Sequence, residues 1–170
     1  MASRTPAETK RAAQLLLNAY GQANRHTLVF ALAGSLGSGK TTFVQGLARA
    51  LGICEKIQSP TFVLMKWYDL PRSALRGLHL ARKKYFVHID AYRLETARDA
   101  NHLGLRKLFH DPEAIIAVEW ADRIKKLIPR SAVWIKFEHK SKNMRLIKVT
   151  NPHKLTTNLR ESRISHSLDS

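Results

Sequence analysis

The chain has 170 residues and is 44% hydrophobic, which suffices for one domain with a real core and excludes a disordered polymer. Twenty-nine Lys and Arg against thirteen Asp and Glu give a formal charge of +16, a balance that favours polyanionic partners: nucleotide, RNA or an acidic protein surface. No apolar run reaches the ~18 residues of a membrane span, the N-terminus lacks the apolar core of a signal peptide, and the lone Cys54 excludes an internal disulfide, so a cytoplasmic protein without membrane partners is expected.

In chain order, residues 6–20 carry Ala12, Leu15, Leu16 and Tyr20 at helical spacing, and Pro6 suits a helix start. Residues 28–33 form an apolar strand that empties into a glycine-rich loop. Residues 42–51 then follow a helical pattern, with Gly52 as its C-terminal cap. Ser59-Pro60-Thr61-Phe62 is a turn-like entry to an apolar stretch over 62–68. Residues 85–89 read as a buried strand ending at Asp90, and 115–118 as another ending at Glu119. Between them, 94–109 is read as helical with an interruption near Gly104; Pro129 breaks the helical stretch after Glu119. Residues 133–137 and 146–149 alternate around Lys-Ser-Lys-Asn, the pattern of a hairpin.

Strands alternating with helices predict an α/β fold: a mixed, mainly parallel sheet flanked by helices, closed by a C-terminal β-hairpin. Residues 1–150 read as one domain, and 151–170 as a polar, basic, poorly ordered tail. The segment 69–84 looks added to this core. It carries Arg72, Arg76, Arg82, Lys83 and Lys84, with no acid within 72–84.

Gly34-x-x-x-x-Gly39-Lys40-Thr41, between a strand and a helix, is the phosphate-binding loop pattern. Its glycines let the backbone curl so that N–H groups point inward, and the helix N-terminus adds positive potential. Lys40 can reach the outer phosphates, and the Thr41 hydroxyl can ligate Mg²⁺. Asp90 and Glu119 end apolar strands, where open α/β sheets bind ligands. One could hold Mg²⁺ and the other orient the attacking water; taken alone, each reads first as a cap for the helix that follows, and the loop in the same chain draws at least one into the site. His88 reads as a buried, hydrogen-bonded side chain.

These residues together resemble the TsaE family, the P-loop ATPases of tRNA threonylcarbamoyladenosine biosynthesis. The blocks that match are Gly34-Ser-Leu-Gly-Ser-Gly-Lys-Thr-Thr42, Ser59-Pro-Thr-Phe62, His88-Ile-Asp-Ala-Tyr-Arg93 and Val118-Glu-Trp120. The resemblance implies a P-loop NTPase-like fold and an ATP site of Gly34, Gly37, Ser38, Gly39, Lys40, Thr41 and Thr42, with Trp120 in a mobile segment beside it. It implies that Thr41 and Glu119 hold Mg²⁺ and that Asp90 acts on the water or the metal shell. Thr61 would sense the γ-phosphate from a switch-like loop. It further implies TsaD-type and TsaB-type partners, with an ATPase that is weak alone and supports threonylcarbamoyl transfer by TsaD to the adenosine next to the tRNA anticodon. Ser35 and Ala91 depart from the family's usual residues, and 72–84 is longer than its norm. A contact of that basic segment with tRNA is a further expectation. Two other readings stand beside this one: a small-molecule kinase using 72–84 as a lid, and an RNA-binding module with a vestigial nucleotide site.

Overall fold

Strands buried on both faces read as continuous apolar runs. The computed structural model sets three such runs side by side at its centre. It describes residues 1–21, 26–60, 63–78, 80–94, 99, 102–141 and 144–150, with Arg76 and Gly77 as backbone only. In chain order the elements are β1 (Ala2–Ser3), α1 (Pro6–Gly21), β2 (Leu28–Gly34), α2 (Lys40–Ala50), β3 (Met65–Asp69) and α3 (Arg72–Gly77). β4 (Tyr85–Asp90), α4 (Leu105–Leu108), β5 (Ala114–Glu119), β6 (Val133–Ser141) and β7 (Met144–Thr150) follow. They form a seven-stranded sheet of order β1-β7-β6-β2-β5-β4-β3. β6, β2, β5 and β4 run parallel; β3 is antiparallel at one margin, and β7 and β1 at the other. The mixed sheet with a parallel core and a closing hairpin is as expected. All four parallel strands therefore end on the same side of the molecule.

Side-chain alternation divides the core in two. Leu28, Phe30, Leu32, Phe86, Ile115, Ile135 and Phe137 face α1 and α2. Val29, Ala31, Val87, Ile89, Ile116 and Val118 face the other layer, with Leu105 and Leu108 of α4. Phe43 of α2 meets Phe30 and Phe137 edge-on, at 6.4 and 5.7 Å between ring centres. At the crossing of the two helices, Gly46 lets α2 approach α1 so closely that a Cβ would stand 2.6 Å from the Cα of Lys10.

α1 starts where Pro6 suggests, helped by a reciprocal cap. The Thr5 hydroxyl accepts from Glu8 N–H at 3.1 Å, and the Glu8 carboxylate accepts from Arg4 N–H at 2.7 Å. The interruption expected near Gly104 within 94–109 is present: Asp99 and His102 are helical before it and α4 follows it. Gly104, with φ 65°, caps α4, and the chain after Asp90 first makes a 3₁₀ turn at Ala91–Arg93. Residues 95–98, 100 and 101 lie outside the described residues, as does the tail 151–170.

The added segment packs under the sheet, at the N-terminal ends of β4 and β5. Lys83 is buried there, and its ammonium donates to the carbonyls of His26 and Pro112. Lys84 pairs with Glu113 at 2.7 Å. The acid absent from 72–84 in sequence is thus supplied by the residue before β5. Burial pushes the Lys83 ammonium from 10.5 down to about 8, with Asp111 opposing the fall. Lys83 therefore stays protonated to higher pH in the unfolded chain than in the folded one. Its charge-burial cost is present below pH 8 and fades between 8 and 10.5, so that stability rises with pH across that window. In urea unfolding, wild type is expected to gain stability relative to Lys83→Met between about pH 7.5 and about pH 9.5. A difference that stays constant would show that Lys83 does not titrate in this window.

Candidate active site

β2 ends at Gly34, with φ 145°, where a Cβ would stand 2.6 Å from the carbonyl oxygen of Phe137 on β6. Only glycine can leave the strand this way. The loop closes with Ser38 N–H donating to the Ser35 carbonyl at 3.2 Å, and Gly39, with φ 105°, turns the chain into α2. The N-terminus of α2 then faces the C-terminal ends of the parallel strands, a disposition suited to anions.

Lys40 folds back over this loop. Its Nζ donates to the carbonyls of Gly34 at 2.8 Å and Ser35 at 2.9 Å, and lies 3.7 Å from the centre of the Trp120 ring. Burial pushes its ammonium below the ordinary value, while Glu119, Asp122 and Asp90 pull it back up. The neighbouring Thr41 hydroxyl donates to Glu119 Oε2 at 2.8 Å. Glu119 Oε1 meets His88 Nε2 at 2.8 Å.

Asp90 pairs in register with Glu119 across β4 and β5. Both its oxygens are engaged. Oδ2 accepts from the Ser59 hydroxyl at 2.5 Å, and Oδ1 from Tyr92 N–H at 3.0 Å. Asp90 thus does cap the 3₁₀ turn after it, and also ties Ser59 to the strand end. Trp120 adopts a left-handed conformation, φ 57°, which costs a non-glycine residue about 1–2 kcal/mol. Its ring stacks on Tyr92 at 5.0 Å, and Arg123 covers the other aromatic, 4.9 Å from the Tyr92 ring centre.

Together these groups line a cleft of about 480 Å³, within the range of small-molecule sites. Gly37, Ser38, Gly39, Lys40, Thr41, Thr42, Asp90, Glu119 and Trp120 all border it. Gly34 supports it by holding Lys40. Thr61 lies outside the described residues. The third wall comes from residues that sequence reasoning missed: Thr9 of α1 and Arg145 of β7. Arg145 sits two residues before the buried Ile147, on the inward phase of an alternating strand. A basic residue in that phase is the signal that could have marked it. Two buried polar atoms in this wall and loop, Ser38 Oγ and Arg145 Nε, have no partner among the described residues. Buried polar atoms are nearly always satisfied, so both fit groups awaiting a polar ligand. The Thr41 hydroxyl and the Glu119 carboxylate are hard oxygen donors, the type Mg²⁺ takes. Arg145→Ala is expected to weaken nucleotide affinity roughly tenfold or more, the loss of one charged hydrogen bond. Isothermal titration checks this; unchanged affinity would remove Arg145 from the site.

A family model described as threonylcarbamoyl adenosine biosynthesis protein TsaE matches residues 3–147. The chain belongs to the TsaE family. A TsaE of Bacillus subtilis, named as a tRNA threonylcarbamoyladenosine biosynthesis protein, is 36% identical over 110 residues, 63% of this chain and 59% of that one. The TsaE of Haemophilus influenzae is 26% identical over 144 residues, 84% of this chain and 82% of the relative. The crystal structure of Bacillus subtilis YdiB superposes with a TM-score of 0.66 at 26% identity, covering 98% of this chain and 93% of that one. The family match spans the loop, both strand-end acids and Arg145, so every wall of the cleft lies within it. Among the described residues, no helix is long and apolar enough to cross a membrane.

Proposed function

We propose that this chain binds and hydrolyses ATP with Mg²⁺ in the cytoplasm. In this reading it serves threonylcarbamoyladenosine formation in tRNA, together with TsaD-type and TsaB-type proteins. The observation that carries the reading is the convergence of Lys40, Thr41, Asp90 and Glu119 on one cleft that also holds two unsatisfied polar atoms. The names of the relatives support the pathway.

Each residue then has a distinct task. Lys40 leaves the Gly34 and Ser35 carbonyls and neutralises the outer phosphates. The loop N–H groups and the Ser38 hydroxyl orient the phosphate chain. Thr41 and Glu119 would hold Mg²⁺, which supplies charge neutralisation on the phosphoryl oxygens. Asp90 orients the attacking water and is bonded to Ser59, two residues before Thr61 in the sequence; Thr61 would sense the γ-phosphate. Trp120 and Tyr92 wall the cleft from bulk water. Residues 1–150 act as one domain.

The kinase reading is disfavoured by position. A lid must close over the phosphates, yet Arg72 and Arg82 border a cleft with Pro112 and Glu113, before β5 begins. That is the far end of the strands, roughly 20 Å from the loop. The same position leaves these arginines available to tRNA, whereas Lys83 is buried within the protein and Lys84 pairs with Glu113 at the surface. Replacing Arg72, Arg76 and Arg82 with Gln is expected to flatten the slope of log affinity for tRNA against log salt by ~0.7–0.9 per lost phosphate contact. An unchanged slope would leave the segment a solvated rim.

Single-turnover ATP hydrolysis tests the central reading. The isolated chain is expected to be slow, and addition of TsaD-type and TsaB-type proteins to accelerate it by ~10³–10⁵ if a partner completes the site. Equal rates with no detectable complex would overturn the partnership. Absence of ATP binding would overturn the enzyme.

A further inference from the structure

His88 has no solvent exposure and lies on β4, two residues before Asp90 and on the same face. The residue opposite it on β5 is Ala117, whose methyl group leaves room for an imidazole. The ring therefore reaches diagonally to Glu119, the next residue of that face. Nε2 and Glu119 Oε1 stand 2.8 Å apart, both groups buried. The other carboxylate oxygen faces the Thr41 hydroxyl at 2.8 Å. An ionised carboxylate only accepts, so the hydrogen sits on Nε2. Nδ1 is buried without a partner among the described residues, which suits a ring nitrogen that carries no hydrogen.

We propose that His88 is a positioning residue for the metal half of the nucleotide site. By holding Oε1, it fixes the carboxylate plane and leaves Oε2 as the oxygen presented beside Thr41. The Glu119 side chain would otherwise rotate about its terminal torsion, which is broad and roughly two-fold. Hydrogen bonds to a ligating carboxylate set its orientation in this way, and losing one typically costs 10–100-fold in metal affinity. The proposal rests on the nucleotide reading above and adds to it a residue outside the cleft. A buried histidine that merely fills space between β4 and α2 predicts no such effect.

The test separates filling from positioning. His88→Gln keeps an amide nitrogen near the place of Nε2. His88→Asn carries its nitrogen near the place of Nδ1, too short to reach Glu119, and His88→Leu carries none. Binding of methylanthraniloyl-ATP is measured by fluorescence with Mg²⁺ and with EDTA, alongside thermal melting. In His88→Leu and His88→Asn the gain in affinity conferred by Mg²⁺ is expected to shrink about tenfold or more, the Mg²⁺-free affinity moving less. His88→Gln is expected to recover most of the gain. A folded His88→Leu with the wild-type gain would overturn the proposal. Should that variant fail to fold, equal gains in His88→Asn and His88→Gln would do the same. Wild type that binds no nucleotide in either condition overturns the functional reading itself, and this proposal with it; a wild type that binds with a normal Mg²⁺ gain leaves only the role of His88 to be judged.

Discussion

Lys40→Ala is expected to lower single-turnover ATP hydrolysis by about 10²–10³-fold, the usual cost of removing one preorganised group that meets developing charge. Nucleotide affinity should fall with it. The side chain does two things in this structure. It bonds the carbonyls of Gly34 and Ser35, and it packs its ammonium on Trp120. Alanine removes the group that would neutralise phosphate and leaves those two carbonyls facing the cleft, where water can reach them. The melting temperature should therefore move little. The loop shape is set by Gly34 and Gly39 and by the bond from Ser38 N–H to Ser35, none of which needs Lys40. Turnover and affinity at wild-type levels in a folded Lys40→Ala would dismiss the loop as a nucleotide site.

The second large effect is a division between the two acids. Glu119→Ala should abolish most of the Mg²⁺ dependence of nucleotide binding, on the order of 10²-fold in apparent metal affinity, because in the proposed reading it would delete a direct ligand rather than an outer one. It also removes the partner of the buried His88 and of the partly exposed Thr41 hydroxyl. Asp90→Ala should act mainly on hydrolysis, with Mg²⁺ dependence kept. Its oxygens meet Ser59 and Tyr92, not Thr41. Titrating Mg²⁺ at fixed ATP and following single turnovers distinguishes the two. Identical behaviour of both variants would refute the division, and wild-type behaviour of both would take the acids out of the site.

The parts of the site that could be read from sequence are those written by local constraints. Gly34, Gly39, Lys40 and Thr41 sit within one turn of chain, where backbone sterics dictate residue type. Asp90 and Glu119 were visible because each interrupts an apolar run at the end where ligands bind a parallel sheet. Arg145 escaped because its place beside the loop depends on β7 lying antiparallel to β6, a pairing fixed by non-local register. β1 escaped for a similar reason. Two residues, Ala2 and Ser3, carry no periodicity, and they become a strand only because Leu146 and Arg145 supply partners. The burial of Lys83 against the carbonyls of His26 and Pro112 joins residues far apart in the chain, so Lys83 looked more exposed in sequence than it is. The 94–109 pattern is apolar at helical spacing, and its interruption was legible in Gly104: Asp99 and His102 are helical before the left-handed Gly104, and α4 follows it.

The third wall of the cleft gives the fold a temporal property. Thr9 comes from the first helix and Arg145 from the last strand, and Ser3 and Arg145 are backbone neighbours across β1 and β7. During synthesis, the loop, both acids and Trp120 all emerge before residue 144. A nascent chain at that stage would lack Arg145 and the partner strand of β1, leaving that side of the cleft open. In the proposed reading, full grip on the ligand would arrive only when β7 has left the ribosome and zipped onto β1. Tight nucleotide retention would then report that translation of the domain has finished, and ribosome-bound chains truncated before and after β7 should differ sharply in it.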